Sequence, residues 1–243
     1  MLKLYIGNKN YSSWSMRPWV LLRQAGIAFE EIAVRFDAFT PGSAFKKTML
    51  ALSPAGKVPV LVDTKFAAVC AAPNAALPGT GLAVADTLAI AEYLAEQFIE
   101  KKLWPDNLRA RAQGRSACAE MHAGFTALRT HCPMNIEAAL ADAGARVWRD
   151  QPAVRADVAR LTDLWRSLLA EHQGPMLLGE FSVADAYFAP VCMRLRGYSL
   201  PVPDDVAAYI ERVHKLAAVQ QWIAQALAEK DFLDFEEPYR LNR

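Results

Sequence analysis

The chain has 243 residues and carries 27 Lys plus Arg against 26 Asp plus Glu, without the basic field expected of a nucleic-acid binder. No apolar run reaches the roughly 18 residues of a membrane span, and no basic-then-apolar leader marks a secretory signal, so neither nucleic acid nor membrane is expected as a partner. Four cysteines (Cys70, Cys118, Cys132, Cys192) show no paired spacing and read as reduced thiols of a cytoplasmic protein.

At this length two domains are as well supported as one. Leu2 to Ile6 reads as a first strand. A polar turn, Tyr11-Ser12-Ser13-Trp14-Ser15, then leads to Pro18, which suits a first helical turn because it lacks a backbone N–H. Trp19 to Leu22 with Ala25 continues that helix and Gly26 stops it. The serines then lie where free N–H groups and the helix dipole favour an anion. A cysteine there would be a reactive thiolate; hydroxyls suggest stabilisation of a thiolate carried by another molecule. Taken alone, the serine turn is better read as a helix cap.

Phe29 to Val34 reads as a second strand, parallel to the first through a right-handed crossover. A short helix is expected over Ser43–Leu52, a third strand over Val58–Val62, and a fourth over Leu82–Val84. Asp86 caps a helix running to about Phe98, with Leu88, Ala91, Leu94 and Ala95 on its apolar face. Between the third and fourth strands, Lys65 to Gly81 is rich in Ala, Pro and Gly. It exceeds the roughly 2–5 residues of a hairpin loop and reads as a surface insertion. From Trp104-Pro105 onward, helices are expected over Leu108–His131, Ile136–Arg149, Pro152–His172, Val183–Tyr198, Asp205–Leu216 and Val219–Glu229. The expected division is therefore an α/β domain over residues 1–99 and an all-helical domain over 106–243.

Four motifs in order give this organisation a family resemblance. Ser12-Ser13-Trp14-Ser15-x-Arg17 resembles the Ser-Ser-Cys-Ser-x-Arg turn of zeta-class glutathione transferases. Gly56-Lys57-Val58-Pro59-Val60-Leu61 resembles the family's strand-three segment with its cis proline. Asp86-Thr87-Leu88-Ala89-Ile90-x-x-Tyr93-Leu94 is similar to the family's Glu/Asp-Ser-x-Ala-Ile-x-x-Tyr-Leu, and Ser182-Val183-Ala184-Asp185 to its helix cap. The chain is identified as resembling the glutathione S-transferase superfamily, in a bacterial branch near zeta.

The resemblance implies a thioredoxin-like βαβ–ββα domain followed by a helical domain, a homodimer, glutathione as co-substrate and no metal. It implies that Val58, turned outward by a cis Pro59, pairs with the cysteinyl residue of glutathione. Thr87 and nearby N–H groups would take the γ-glutamyl carboxylate, Asp86 the α-amino group, and Lys57 the glycyl carboxylate. Two hydroxyls compete for the sulfur: Ser12 aligns with the zeta-type serine, whereas Ser13 has the spacing to Arg17 of delta- and theta-like relatives. Hydrogen bonding by either would favour the thiolate. Trp14, standing where zeta enzymes have Cys, together with Met121, Phe125 and Arg129, forms the expected electrophile site.

The implied reaction is attack of the thiolate on an electrophile. The alternatives are zeta-like cis–trans isomerisation of the maleylacetoacetate type and a non-catalytic glutathione-fold binding protein. Several other residues have plainer readings. Cys118 and His122, four apart on a helix, read as packing rather than metal ligands because no compact zinc pattern is present. Arg17 reads as a substrate clamp or a structural ion pair. Ser182 and Asp185 read as a capping box without chemistry. Trp165 reads as core, and Trp148 and Trp222 as core or lids.

Overall fold

A computed structural model describes residues 1–66 and 81–241. Most of the alanine-rich insertion, with Cys70, lies outside the described residues. The first domain is built from β1 (Leu2–Ile6), α1 (Ser13–Gln24), β2 (Glu30–Ala33), α2 (Ala44–Leu52), β3 (Val60–Asp63), β4 (Leu82–Ala85) and α3 (Thr87–Gln97). The sheet order is β2-β1-β3-β4. β1 and β2 are parallel with Tyr5 opposite Ile32, while β3 is antiparallel to both neighbours, with Leu61 opposite Leu4 and Val84. This is the expected thioredoxin-like sheet. Leu2, Leu4 and Ile6 alternate into the core as a half-buried strand requires.

α1 begins earlier than the sequence reading placed it. Ser12 is its N-cap and Ser13 its first residue, so Pro18 stands inside the helix rather than in its first turn. Without an N–H, Pro18 cannot bond the carbonyl four residues back, and the helix nevertheless continues to Gln24 because Met16, Trp19, Val20, Leu21 and Leu22 are all sealed in the core. Tertiary burial overrides a local breaker here. Gly26, with φ +65°, ends it as expected.

The second half contains α4 (Leu108–Ala123), α5 (Thr126–His131), α6 (Ala141–Asp150), α7 (Pro152–His172), α8 (Val183–Gly197), α9 (Asp204–His214) and α10 (Ala217–Glu229). The single helix expected over Leu108–His131 is broken at Gly124 and Phe125. Phe125 has φ +52°, and a Cβ on Gly124 would lie 2.8 Å from the Glu120 carbonyl oxygen. The helix expected from Ile136 starts only at Ala141, because Asn135 and Asn10 side chains take the N–H groups of Ile136, Glu137 and Ala138 in a turn. No described helix is long and apolar enough to cross a membrane.

α8 runs through the middle of the molecule and packs along α1, with every residue from Val183 to Leu195 buried. One apolar cluster spans both halves, joining Leu4, Trp19 and Leu61 to Trp165, Phe188 and Trp222. Trp165 and Trp222 are therefore core, while Trp148 is half-buried at its margin. The capping box of Ser182 and Asp185 is present, and Asp185 also accepts from the Leu177 N–H at 3.0 Å and the Tyr209 hydroxyl at 3.1 Å. Asp185→Ala strands these buried donors and removes the cap. It is expected to cost roughly 3 kcal/mol of stability, read as a lower urea midpoint with an unchanged slope.

Candidate active site

The serine turn lies where the two halves meet. Ser12 is committed to the helix start: its Oγ accepts from the Ser15 N–H at 3.4 Å and lies 2.7 Å from Ser15 Oγ, which takes the Gly7 N–H at 3.1 Å. Ser13 is held differently. Its carbonyl accepts from Arg17 Nη1 at 3.1 Å and its hydroxyl accepts from Arg194 Nη2 at 3.1 Å. Arg194 comes from α8 and also donates to the carbonyls of Cys132 and Pro190. The Ser13 hydroxyl hydrogen has no acceptor among the described residues, so it is free to donate outward.

Arg17 departs from the expected ion pair. Both it and Arg194 are buried, and among the described residues neither they nor Arg129 lies within salt-bridge distance of a carboxylate. Arg17 instead donates to the Tyr187 carbonyl at 3.0 Å and stacks on the rings of Trp14, 4.2 Å away, and Tyr187, 4.7 Å away. Burial pushes its pKa down to about 9, and that of Arg194 down to about 10, and each is also opposed by the Arg129 charge. Both remain cationic at neutral pH. Two desolvated cations without anions make an environment in which an anion at Ser13 is favoured.

Two adjoining cavities open beside this turn. One, of about 380 Å³, is lined by Lys57, Val58, Pro59, Asp86, Thr87 and His122 among others. The second, of about 390 Å³, is lined by Ser12 and Ser13, by the aromatic rings of Phe36, Phe39 and Phe45, and by Arg194 and Glu236. Trp14, Lys57, Val58 and Arg129 belong to both. Phe36 owes its seat to Gly7, where a Cβ would lie 2.2 Å from the ring. The serines and the five residues expected to bind glutathione are thus gathered around one connected space. Of the expected electrophile residues, Trp14 and Arg129 line it, with the Arg129 guanidinium 5.0 Å from the Trp14 ring. Met121 and Phe125 do not: both are buried in the core, Met121 on the buried face of α4 and Phe125 at the break that follows it.

The Val58–Pro59 peptide is cis, and Val58 makes no backbone hydrogen bond to another described residue. Its amide and carbonyl thus remain open to an extended peptide. Lys57 is exposed at the rim. Asp86 caps α3, its Oδ1 accepting from the Leu88 N–H at 2.8 Å, in a positive-φ conformation (φ +81°) uncommon for a residue with a side chain. Its other oxygen lies 3.4 Å from His122 Nε2. The Thr87 hydroxyl is 2.9 Å from the Tyr187 hydroxyl, which is 2.7 Å from His122 Nδ1. This chain of Thr87, Tyr187, His122 and Asp86 ties α3 to α4 and α8. His122 therefore turns to the cavity wall, away from Cys118, which is sealed in the core with its thiol pushed up by burial.

Sequence reasoning passed over Arg194, His122 and Tyr187 as site residues. Their signal lies only in three-dimensional convergence, since each comes from the helical half at no fixed spacing from the serine turn.

Residues 11–97 match the family described as glutathione S-transferase, N-terminal domain. A curated relative, glutathione S-transferase 1 of Dianthus caryophyllus, is 27% identical over 206 residues, covering 84% of this chain and 81% of that protein. Among solved structures, a glutathione transferase homolog from Burkholderia with bound glutathione superposes with a TM-score of 0.63 at 21% identity, covering 93% of this chain and 98% of its own. A diazinon-metabolizing glutathione S-transferase of the silkworm Bombyx mori gives 0.68 at 15% identity, covering 94% and 98%. At these identities the structural likeness establishes the shared fold. The family match itself covers the first domain, residues 11–97.

Tyr187→Phe removes the hydroxyl shared by Thr87 and His122 and leaves buried Thr87 without its partner. A loss of about 1–2 kcal/mol is expected, measured by chemical denaturation; an unchanged midpoint would show that solvent replaces the bond.

Proposed function

We propose that the chain is a glutathione transferase whose first domain, residues 1–99, binds glutathione and whose helical domain, 106–243, contributes to the electrophile site. The observation that carries this reading is Ser13, its carbonyl and hydroxyl each held by a buried guanidinium without a carboxylate, on the wall of the aromatic cavity that adjoins the one lined by Val58, Asp86 and Thr87. Glutathione lies along the open Val58 amide, its γ-glutamyl end toward Asp86 and Thr87 and its glycyl carboxylate toward Lys57. Its sulfur comes to the serine turn, and the electrophile occupies the aromatic cavity of Phe36, Phe39 and Phe45.

Ser13 rather than Ser12 is the thiolate donor in this reading. Arg194 donates to the Ser13 oxygen and so polarises its free O–H. Ser12 would have to rearrange its bond to Ser15 to do the same. A thiol with a pKa near 8.5 is only a few per cent ionised at neutral pH, and a fall of about two units makes most of it nucleophilic. Because Arg17 and Arg194 stay charged, their support persists through neutral pH. A zeta-like isomerisation would begin from the same thiolate; half-buried Trp14, wedged between the Arg17 and Arg129 guanidiniums, narrows the site and supports conjugation instead. We also propose that the protein works as a cytoplasmic homodimer, which light scattering would test.

Ser13→Ala is expected to retain glutathione-agarose binding while kcat/KM for thiol conjugation falls roughly 100-fold, in line with loss of one charge-stabilising donor. Ser12→Ala is expected mainly to lose about 1 kcal/mol of stability through its cap. A larger turnover loss in Ser12→Ala would reverse the assignment, and a wild-type protein that neither binds glutathione nor conjugates any electrophile in a broad panel would overturn the function.

A further inference from the structure

We infer that Glu236 is a catalytic acid for one class of electrophile, alkenes conjugated to a carbonyl, supplying the proton that addition of glutathione requires at the carbon beside that carbonyl. This rests on the proposed transferase reading and assigns a role to the C-terminal segment that the sequence reading left outside the site.

Glu236 lines the aromatic cavity together with Ser12 and Ser13. Its carboxyl makes no hydrogen bond or ion pair among the described residues, unlike the acids around it. Asp231 receives both arms of Arg35 at 2.6 and 2.7 Å. Glu229 accepts from the Lys9 N–H at 2.7 Å, and Glu237 from the Tyr11 hydroxyl at 2.8 Å and from Arg240. The segment leading into Glu236 is pinned: the buried Leu233 donates its N–H to the Tyr11 hydroxyl at 3.2 Å, and the Phe235 ring packs edge-on against Phe39 at 5.5 Å. Burial first, and then the Glu237 charge, pushes the Glu236 carboxyl up to about 7, so a substantial protonated fraction exists at neutral pH. The other titratable groups on the cavity are Tyr11, Lys46, Lys57, Arg129 and Arg194. Lys46 is engaged with the Gly56 carbonyl at 2.7 Å and Arg194 with carbonyls and Ser13. Tyr11 is pushed up to about 12 by burial. Glu236 is therefore the group on this wall that can release a proton near neutrality.

The step balances. The thiolate pair forms a carbon–sulfur bond at the far alkene carbon, and the π pair moves toward the carbonyl as an enolate. The Glu236 O–H then gives its proton to the carbon beside the carbonyl, and water reprotonates the carboxylate. Conjugation of an aryl halide needs no such proton, because the halide departs with its bonding pair.

The test compares wild type and Glu236→Gln on an α,β-unsaturated ketone and on chlorodinitrobenzene, and reads the ratio of the two kcat values and its pH dependence. The ratio is expected to fall roughly 100-fold in the variant. In wild type it is expected to decline as pH rises through about 7, and this decline should vanish in Glu236→Gln. An unchanged ratio, or one that keeps its pH dependence in the variant, overturns the inference while leaving the transferase reading standing. A wild-type protein inert toward both substrates overturns the two together.

Discussion

The structure depends on two buried guanidiniums that reach the serine turn from opposite directions. Arg17 rises from within α1 to the Ser13 carbonyl and the Tyr187 carbonyl of α8, and Arg194 descends from α8 to the Ser13 hydroxyl and the Cys132 carbonyl. The Arg17 bond to the Tyr187 carbonyl and the Arg194 bond to the Ser13 hydroxyl therefore constrain how the helical half sits on the sheet domain. Burying a cation among carbonyls and rings without a carboxylate is costly, and a fold optimised only for stability could replace both with apolar side chains. Their presence beside two cavities is accounted for if an anion arrives there during function. In the proposed reading, electrostatics that is unfavourable for folding alone is the device that selects an ionised sulfur.

The rest of the site is arranged around that charge. The open peptide of Val58 leads into β3, and the N-terminus of α3 presents Asp86 and Thr87 on the same space. The helical half closes it with Arg129, Arg194 and His122, the last held from behind by Tyr187, and the C-terminal segment with Glu236. The apolar cluster that runs unbroken from Leu4 to Trp222 keeps these walls in register. Displacement of α8 relative to α1 would move the Ser13 contact and the Thr87–Tyr187 bond together.

The sheet domain was legible from the sequence because its elements carry local signals: alternation in Leu2–Ile6, the cap at Asp86, the stop at Gly26. Four of the seven helices of the second half, beginning at Pro152, came out within two residues because their amphipathic patterns are long. Three points were misread for identifiable reasons. Pro18 was taken as a helix start, yet burial of the surrounding side chains carries α1 through it. Leu108–His131 kept its periodicity across Gly124, hiding a break that depends on one positive-φ residue, Phe125. Ile136–Leu140 looked helical, but Asn135 beside it and Asn10 from the first half capture its leading N–H groups. In the site, the motifs placed Ser12, Ser13, Lys57, Val58, Pro59, Asp86 and Thr87 around one space. Arg194, His122 and Glu236 stayed hidden because only the tertiary fold brings them there.

The central claim is that this turn holds an ionised sulfur. Ultraviolet titration of the glutathione thiol bound to the wild-type protein tests it most directly. The account predicts a midpoint about two units below that of the free thiol. A bound thiol that ionises at its free value would contradict it.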